Sequence, residues 1–291
     1  MELIHNTRNG NYWFSLYKDG TKIRYTQDDY FKSEFPESLD MKITNYCDLG
    51  CPYCHENSSI KGKHADAKDI INVLSCLPGG IELAIGGGNP LAYPNLIELC
   101  DVLNCMGFIP NITVNSKHLF DLEYFTLVKE LIAKKLIYGL GISYDKKCSK
   151  PFDYSNAVCH LIAGIHTIED IKKALDMYKK ILILGYKSFR KGHEYYENNF
   201  LQILNNIEEI RDELPNLLDT NIGVISFDNL GIKQLDVKSA ISKYDYEEFY
   251  MGDDGDYTMY YDAVNKEFAK SSVSQDRKKS KDMSILEFFT S

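Results

Sequence analysis

The sequence predicts an α/β fold whose core is a parallel sheet of six strands, with a full eight-stranded barrel as the alternative. Two observations carry this. Between residues 38 and 192, short apolar runs alternate regularly with amphipathic segments of helical period, the pattern of repeated βα units. The two most distinctive loops, one rich in cysteine and one in glycine, each directly follow such a run. In a parallel sheet those positions share the face where active sites gather.

The elements follow in order. Residues 11–26 alternate apolar and polar side chains around Lys18-Asp19-Gly20, which reads as a β-hairpin with an Asp-Gly turn. Trp13, the only tryptophan, is expected to anchor this unit (residues 1–37) on the core; stacking on a substrate is its other available role. Core strands are expected at 39–44, 81–85, 111–115, 138–143, 158–164 and 181–186. Helices are expected at 65–77, 95–106, 119–135 and 167–180. Thr167 and Asp170 form a near capping box for the last helix, and Ile168, Ile171, Ala174, Leu175 and Tyr178 make its apolar face. The connection from 143 to 158 shows no helical pattern.

Beyond the barrel (residues 38–192), an α+β extension (193–270) is expected. It holds a helix at 195–214 ended by Pro215, an edge strand at 221–227, a short helix near 230–242, and a hairpin over 248–269 around Asp253-Asp254-Gly255. The remainder (271–291) reads as a mobile tail, polar and basic over 271–281, with the closing SILEFF docking on the body.

Composition sets limits. The chain of 291 residues is 44% hydrophobic and carries a formal net charge of −9, enough apolar content for a large core and the wrong sign for an extended nucleic-acid surface. Eight cysteines without a signal-like segment or a membrane-length apolar run point to a reducing cytoplasmic setting and no membrane partner. Cys76, Cys100, Cys105, Cys148 and Cys159 are scattered and read mostly as packing residues.

The chemistry is concentrated in Asp40 to Ser59. Cys47, Cys51 and Cys54 are spaced Cys-x3-Cys-x2-Cys, with Tyr53 before the last, directly after the first core strand. Three thiolates on one loop can each bond a different iron of a four-iron cluster and leave the fourth iron open. A Cys3His zinc site with His55 is the alternative, although no second close Cys/His pair accompanies it except the adjacent Cys159-His160. The next strand-like run ends in Gly86-Gly87-Gly88-Asn89-Pro90. Without Cβ atoms, Gly87 and Gly88 let backbone approach a ligand closely.

Cys-x3-Cys-x2-Cys with an aromatic before the third cysteine, followed one βα unit later by a glycine run, resembles the radical S-adenosylmethionine (radical SAM) superfamily. The resemblance covers about residues 38–192. It implies a partial, TIM-like (β/α)6 barrel and a [4Fe-4S] cluster on Cys47, Cys51 and Cys54. S-Adenosyl-L-methionine would chelate the open iron. The cluster, reduced by a donor such as flavodoxin or ferredoxin, would cleave it to a 5′-deoxyadenosyl radical that takes hydrogen from substrate. The family usually has glutamate where this chain has Asn89, whose amide can still accept a hydrogen bond but brings no charge. By position, the resemblance places the cofactor against Tyr53, Gly86 to Pro90, Asn115, Ser143, Ile162 and Gly164, and less directly Gly185 and Tyr186. No cysteine follows Cys159, so the match is to the single-cluster type without a cysteine-rich auxiliary-cluster domain.

For substrate, Lys187, Arg190, Lys191 and His193 gather positive charge after the sixth strand, fit to bind a carboxylate or phosphate or simply solvated. Cys148 could donate hydrogen to a substrate radical, while His160 and His166 read as structural. Three functions stay open: radical chemistry on a peptide side chain or small metabolite, radical modification of a nucleoside or deazapurine precursor, and a non-enzymatic zinc or iron–sulfur scaffold.

Overall fold

Three antiparallel strands open the chain: β1 (Leu3–Asn9), β2 (Tyr12–Tyr17) and β3 (Lys22–Tyr25). The structure, a computed structural model, describes residues 2–147, 150–220 and 222–291. The expected hairpin is β2–β3, closed by Gly20 N–H donating to the Tyr17 carbonyl at 2.9 Å; β1 adds a strand the sequence did not suggest. Trp13 is not the anchor. It is 51% exposed, whereas Tyr12, Phe14 and Leu16 are each 1% exposed. Side chains alternate along a strand, and the register sets Trp13 on the outer face opposite Arg8 and Tyr25.

The main sheet begins with β4 (Ser38–Thr44), α1 (Ala67–Leu74), β5 (Glu82–Gly87), α2 (Leu96–Cys105) and β6 (Ile109–Asn115). It continues through α3 (Leu122–Ala133), β7 (Gly139–Ser143), β8 (Ala157–Ile162), α4 (Ile168–Met177) and β9 (Lys180–Leu184). These six strands pair in parallel and in chain order, and among the described residues no helix joins β7 to β8. The α4 capping box is present in both directions, Thr167 to Asp170 and back.

After the barrel core come α5 (Lys191–Leu218), β10 (Val224–Phe227), α6 (Asn229–Gln234), α7 (Val237–Ala240) and α8 (Lys243–Phe249). The chain closes with β11 (Thr258–Asp262), β12 (Glu267–Ala269), β13 (Lys278–Lys279) and α9 (Ile285–Phe289). β10 extends the parallel sheet beyond β9, at the edge where it was expected.

Four expectations for this region are corrected. Pro215 lies inside α5, which runs one turn further and bends instead at Asn199 (φ −134°, ψ 20°). The helix expected near 230–242 is divided in two by Asp236, whose backbone is left-handed (φ 48°). The hairpin is not centred on Asp253-Asp254-Gly255; those residues turn the chain from α8 into β11, and the hairpin joins β11 to β12. β11 pairs in parallel with β4 on the flank opposite β5, and Met259, Tyr260 and Tyr261 are buried on both faces, as befits an interior strand. In place of a mobile tail, β13 pairs with β12, and Arg277 donates to the Ser272 and Ser274 carbonyls. The final segment docks as expected, with Ile285 buried and Phe288 against Phe268.

The two faces of the barrel strands differ. Toward the helices, Leu39, Met41, Leu83, Ile85, Leu140 and Ile181 are fully buried in one cluster with α1 to α4. Each such side chain contributes about 1.5–3 kcal/mol of burial. Toward the lumen the alternate residues are polar or small and partly accessible, among them Asp40, Ala84, Thr113, Ser143 and His160. The N-terminal sheet sits beneath that lumen. Tyr12, Phe14 and Leu16 pack on Ile109, Tyr138 and Tyr257, all at the N-terminal ends of core strands. Arg24 grips Glu37 through two bonds of 2.7 and 2.9 Å, and Lys22 pairs with Glu82. One end of the barrel is therefore plugged, and the other carries the loops.

Candidate active site

The loop after β4 is folded back and tied down. Cys47 N–H donates to the Ser59 carbonyl at 3.0 Å, and Ser59 N–H to the Asn45 carbonyl at 3.0 Å. The Thr44 hydroxyl caps the turn, accepting from Tyr46 N–H at 2.9 Å and contacting His64 Nδ1 at 2.9 Å. A Cβ on Gly62 would lie 2.0 Å from the Asn45 carbonyl oxygen, so the return strand needs glycine there. On this frame stand Cys47, Cys51 and Cys54, all half-buried free thiols. Burial pushes the Cys47 and Cys51 thiols above their ordinary range.

The second loop locks onto the first. Gly88 N–H donates to the Thr44 carbonyl at 2.8 Å and Asn89 N–H to the Tyr46 carbonyl at 2.6 Å. Cβ atoms on Gly87 and Gly88 would fall 2.3 and 2.0 Å from the carbonyl oxygens of Thr44 and Tyr46. These two glycines thus admit the cysteine loop's own backbone rather than the ligand expected beside them. Gly86 differs: nothing lies within 4 Å of its added Cβ. Asn89 is fully buried; its Oδ1 accepts from Leu91 N–H at 3.1 Å, capping the short turn begun by Pro90, and its amide is turned toward the Asp48 carboxylate, which it helps hold ionised.

Other expected site residues take mixed positions. Tyr53 packs edge-on against Tyr195, and burial, then the neighbouring Cys51, push its hydroxyl up to about 12. Asn115 and Ser143 stand side by side in register at the ends of β6 and β7, and Asn115 Oδ1 accepts from Lys117 N–H. Ile162 N–H donates to His166 Nδ1 at 2.7 Å, and Gly164 (φ +86°) sits where a Cβ would meet Ile203 of α5 at 2.6 Å. Gly185 N–H donates to Asp228 Oδ1, and the Tyr186 hydroxyl to the Gly192 carbonyl. Cys148 lies outside the described residues.

The basic cluster is dispersed by the fold. Arg190 Nη1 donates to the Glu56 carbonyl at 3.1 Å, and Lys191 Nζ to the Ser58 carbonyl at 3.2 Å; both clamp the cysteine loop. His193 is exposed beside Glu197. Lys187 Nζ donates to Ser272 Oγ at 3.0 Å.

Several participants carried no sequence signal. Glu56 is buried and ties the cysteine loop to Lys42 of β4 at 2.7 Å and to the Tyr260 hydroxyl of β11 at 3.0 Å. His118, buried after β6, holds Asp48 through Nε2 at 2.9 Å. Burial lowers its imidazole's affinity for protons, with Asp48 working against that, so neutral His118 donates from Nε2.

The donor geometry separates the metal readings. Tetrahedral zinc with Zn–S near 2.3 Å would bring its sulfurs to roughly 4 Å of one another. Among the described residues, Cys47, Cys51, Cys54 and His55 do not gather their ligand atoms within 4.8 Å; only Cys47, Asp48 and His118 do. In that trio Asp48 and His118 are already hydrogen-bonded to each other. Sulfurs spread along one loop suit the corners of a larger cluster.

A sequence model described as the Radical SAM superfamily matches residues 41–186, half of the chain. The chain belongs to the radical SAM superfamily. A probable GTP 3′,8-cyclase of Methanothermobacter marburgensis is 31% identical over 91 residues, 30% of each chain. A PqqA peptide cyclase of Gluconobacter oxydans is 32% identical over 82 residues, 26% of this chain and 23% of that one. The match therefore spans less than a third of these curated relatives' lengths. Crystal structures of Streptococcus suis SuiB superpose with a TM-score of 0.59 at 15% identity, covering 89% of this chain. One holds the precursor peptide SuiA and covers 66% of SuiB; the other holds S-adenosylmethionine and covers 67%. At that identity they show the shared fold. The chain carries the superfamily's partial barrel, and among its described residues no helix is long and apolar enough to cross a membrane.

Proposed function

We propose that this radical SAM enzyme binds a single [4Fe-4S] cluster through Cys47, Cys51 and Cys54 and modifies a peptide or protein side chain, or a small metabolite, at the lumen beneath it. The observation that carries this is the single tied loop that presents three free sulfurs at the open end of a barrel plugged at the other. The open space at Gly86 fits a ligand lying against the glycine loop. Bound there, the cluster and S-adenosylmethionine would supply a 5′-deoxyadenosyl radical for hydrogen abstraction from substrate.

The chain's own residues do the positioning. Gly88 and Asn89 hold the two loops together, and Arg190, Lys191 and Glu56 fix the cysteine loop to the barrel wall. The N-terminal sheet closes the lumen from below and keeps water from reaching a reactive intermediate. The likeness to PqqA peptide cyclase and to SuiB with its precursor peptide supports a peptide substrate. The likeness to GTP 3′,8-cyclases supports a nucleotide, but Asp40 and Asp228 on the lumen side oppose triphosphate charge.

Anaerobic reconstitution followed by iron and sulfide analysis tests the reading. About four irons per chain and dithionite-dependent formation of 5′-deoxyadenosine are expected, both lost on replacing any of the three cysteines by alanine. Zinc retained in place of iron, or cleavage that persists without one of these cysteines, would overturn it. An electron donor such as flavodoxin or ferredoxin is expected to replace dithionite.

A further inference from the structure

Asp40 is a charged residue with no assigned work. It projects from β4 into the lumen, one turn of the pleat below Lys42, with Ala84 of β5 and Tyr260 of β11 as its register partners. Its side chain has accessible surface, but burial is the main influence on its carboxyl and raises it above the ordinary range, with Lys187, Asp228, Asp254 and Glu56 as the neighbouring charges. On the lumen face of β4, between β5 and β11, that surface faces the barrel interior. Ala84 in its own row and Gly86 above, where an added Cβ would meet nothing within 4 Å, bring almost no side-chain volume, which leaves room beside the carboxylate.

The neighbouring charges are satisfied without it. Asp228 Oδ1 accepts from Gly185 N–H at 2.8 Å and Gly231 N–H at 2.6 Å. Lys187 is held by Ser272 at 3.0 Å and lies beyond ion-pair distance of Asp40. Glu56 is paired with Lys42 and Arg190. His160, on the lumen face of β8, is neutral, since burial and then Lys187 push its imidazole down to about 4. An enclosed carboxylate without a donor is costly unless a ligand supplies one.

We propose that Asp40 receives a cationic group of the substrate, an ammonium or guanidinium, inside the lumen. This rests on the reading of the lumen as the substrate site and names the chemistry of what enters it. A charge-assisted pair in this setting strengthens binding about ten- to a hundred-fold over a neutral isostere.

The test uses anaerobically reconstituted protein with S-adenosylmethionine and isothermal titration calorimetry. The probes are the Nα-acetyl amides of lysine, arginine, norleucine and glutamate, and n-butylamine. The lysine and arginine amides should bind at least tenfold more tightly than the norleucine and glutamate amides. Asp40→Asn should erase that preference while melting at or above the wild-type temperature. Butylamine binding as well as the lysine amide would mark the source as a small amine; a gain confined to the acetyl amides would mark it as a residue in a peptide. Equal binding of lysine and norleucine amides, a preference for glutamate amide, or a preference unchanged in Asp40→Asn would overturn the proposal. The wild-type comparison decides even if Asp40→Asn does not fold. 5′-Deoxyadenosine formation on the same samples keeps the two readings apart: cleavage without a charge preference removes only the Asp40 assignment, and preference without cleavage removes only the radical one.

Discussion

Replacing Lys42 by methionine should destabilise the whole barrel through one buried charge. Lys42 is 1% exposed, with Nζ 2.7 Å from Glu56 Oε2 and 3.2 Å from Asp262 Oδ2. Methionine keeps most of the apolar stem and removes the ammonium. Two buried carboxylates are then left facing each other. Tyr260 still donates to Glu56 at 3.0 Å, and Asn265 still donates to Asp262 through two bonds of 2.9 Å, but the compensating charge that remains is that of Arg190, 3.5 Å from Glu56. Breaking a buried pair from one side costs about 3–5 kcal/mol. For a chain of this size that lowers the melting temperature by roughly 6–20 °C. Glu56→Gln leaves Lys42 paired with Asp262 and should cost less, about 1–3 kcal/mol. The assay is anaerobic thermal unfolding of the reconstituted protein followed by circular dichroism, with iron content measured before heating. Glu56 stands two residues beyond Cys54, so Lys42→Met should also lose iron more readily. A Lys42→Met protein melting within about 2 °C of wild type, with iron retained, would refute the reasoning.

Two further predictions come from the loops and caps. Gly88→Ala sets a Cβ 2.0 Å from the Tyr46 carbonyl oxygen, whereas Gly86→Ala meets nothing within 4 Å; melting should fall sharply for the first and stay unchanged for the second, while calorimetry should show S-adenosylmethionine affinity reduced in Gly86→Ala if the cofactor fills that space. Asp170→Asn removes half of the α4 capping box and the contact with Lys146 at 2.9 Å, an expected loss of about 1 kcal/mol at neutral pH by urea unfolding. Burial opposes ionisation of Asp170, but the Thr167 N–H and Lys146 outweigh it and hold its carboxyl below the ordinary range. Its contribution is therefore complete above pH about 4 and disappears as pH falls through the lower folded value, so wild type and Asp170→Asn should converge in acid.

The parts of the fold that repeat locally were legible. Six βα units announce themselves by period and turn chemistry, and Thr167 with Asp170 marks a helix start within four residues of sequence. Phase was harder. Trp13 and its neighbours alternate correctly, but period alone does not say which set faces inward, and the bulkiest residue took the outer face. The Asp253-Asp254-Gly255 turn was recognisable as a turn; what it joins was not, because the partner of β11 is β4, some 220 positions away in the pairing Tyr260 to Asp40. The three cysteines and the glycine run were visible because each motif is contiguous. The clamps around them were not. Glu56 is read by Lys42, Tyr260 and Arg190 from three separate elements, and a basic stretch such as Lys187 to Lys191 looks like an anion site until the fold shows Arg190 and Lys191 gripping backbone carbonyls and Lys187 a serine hydroxyl.

The two ends of the barrel divide the labour. At the lower end, Tyr12, Phe14 and Leu16 pack on strand starts, Arg24 holds Glu37, and Asn156 and Lys180 donate to the Lys18 and Asp19 carbonyls. Among the described residues, sheet β1–β3 shares no strand pairing with the main sheet. At the upper end Gly88 and Asn89 add bonds from backbone to backbone between the two loops, and Arg190 and Lys191 reach backbone carbonyls of the cysteine loop. Backbone bonds fix loop position more closely than side-chain packing does, because fewer rotatable torsions separate the bonded atoms. Rigidity is thus concentrated where three sulfurs must keep a set spacing. The lumen between the two ends, lined by small and polar side chains, retains the freedom to admit a substrate.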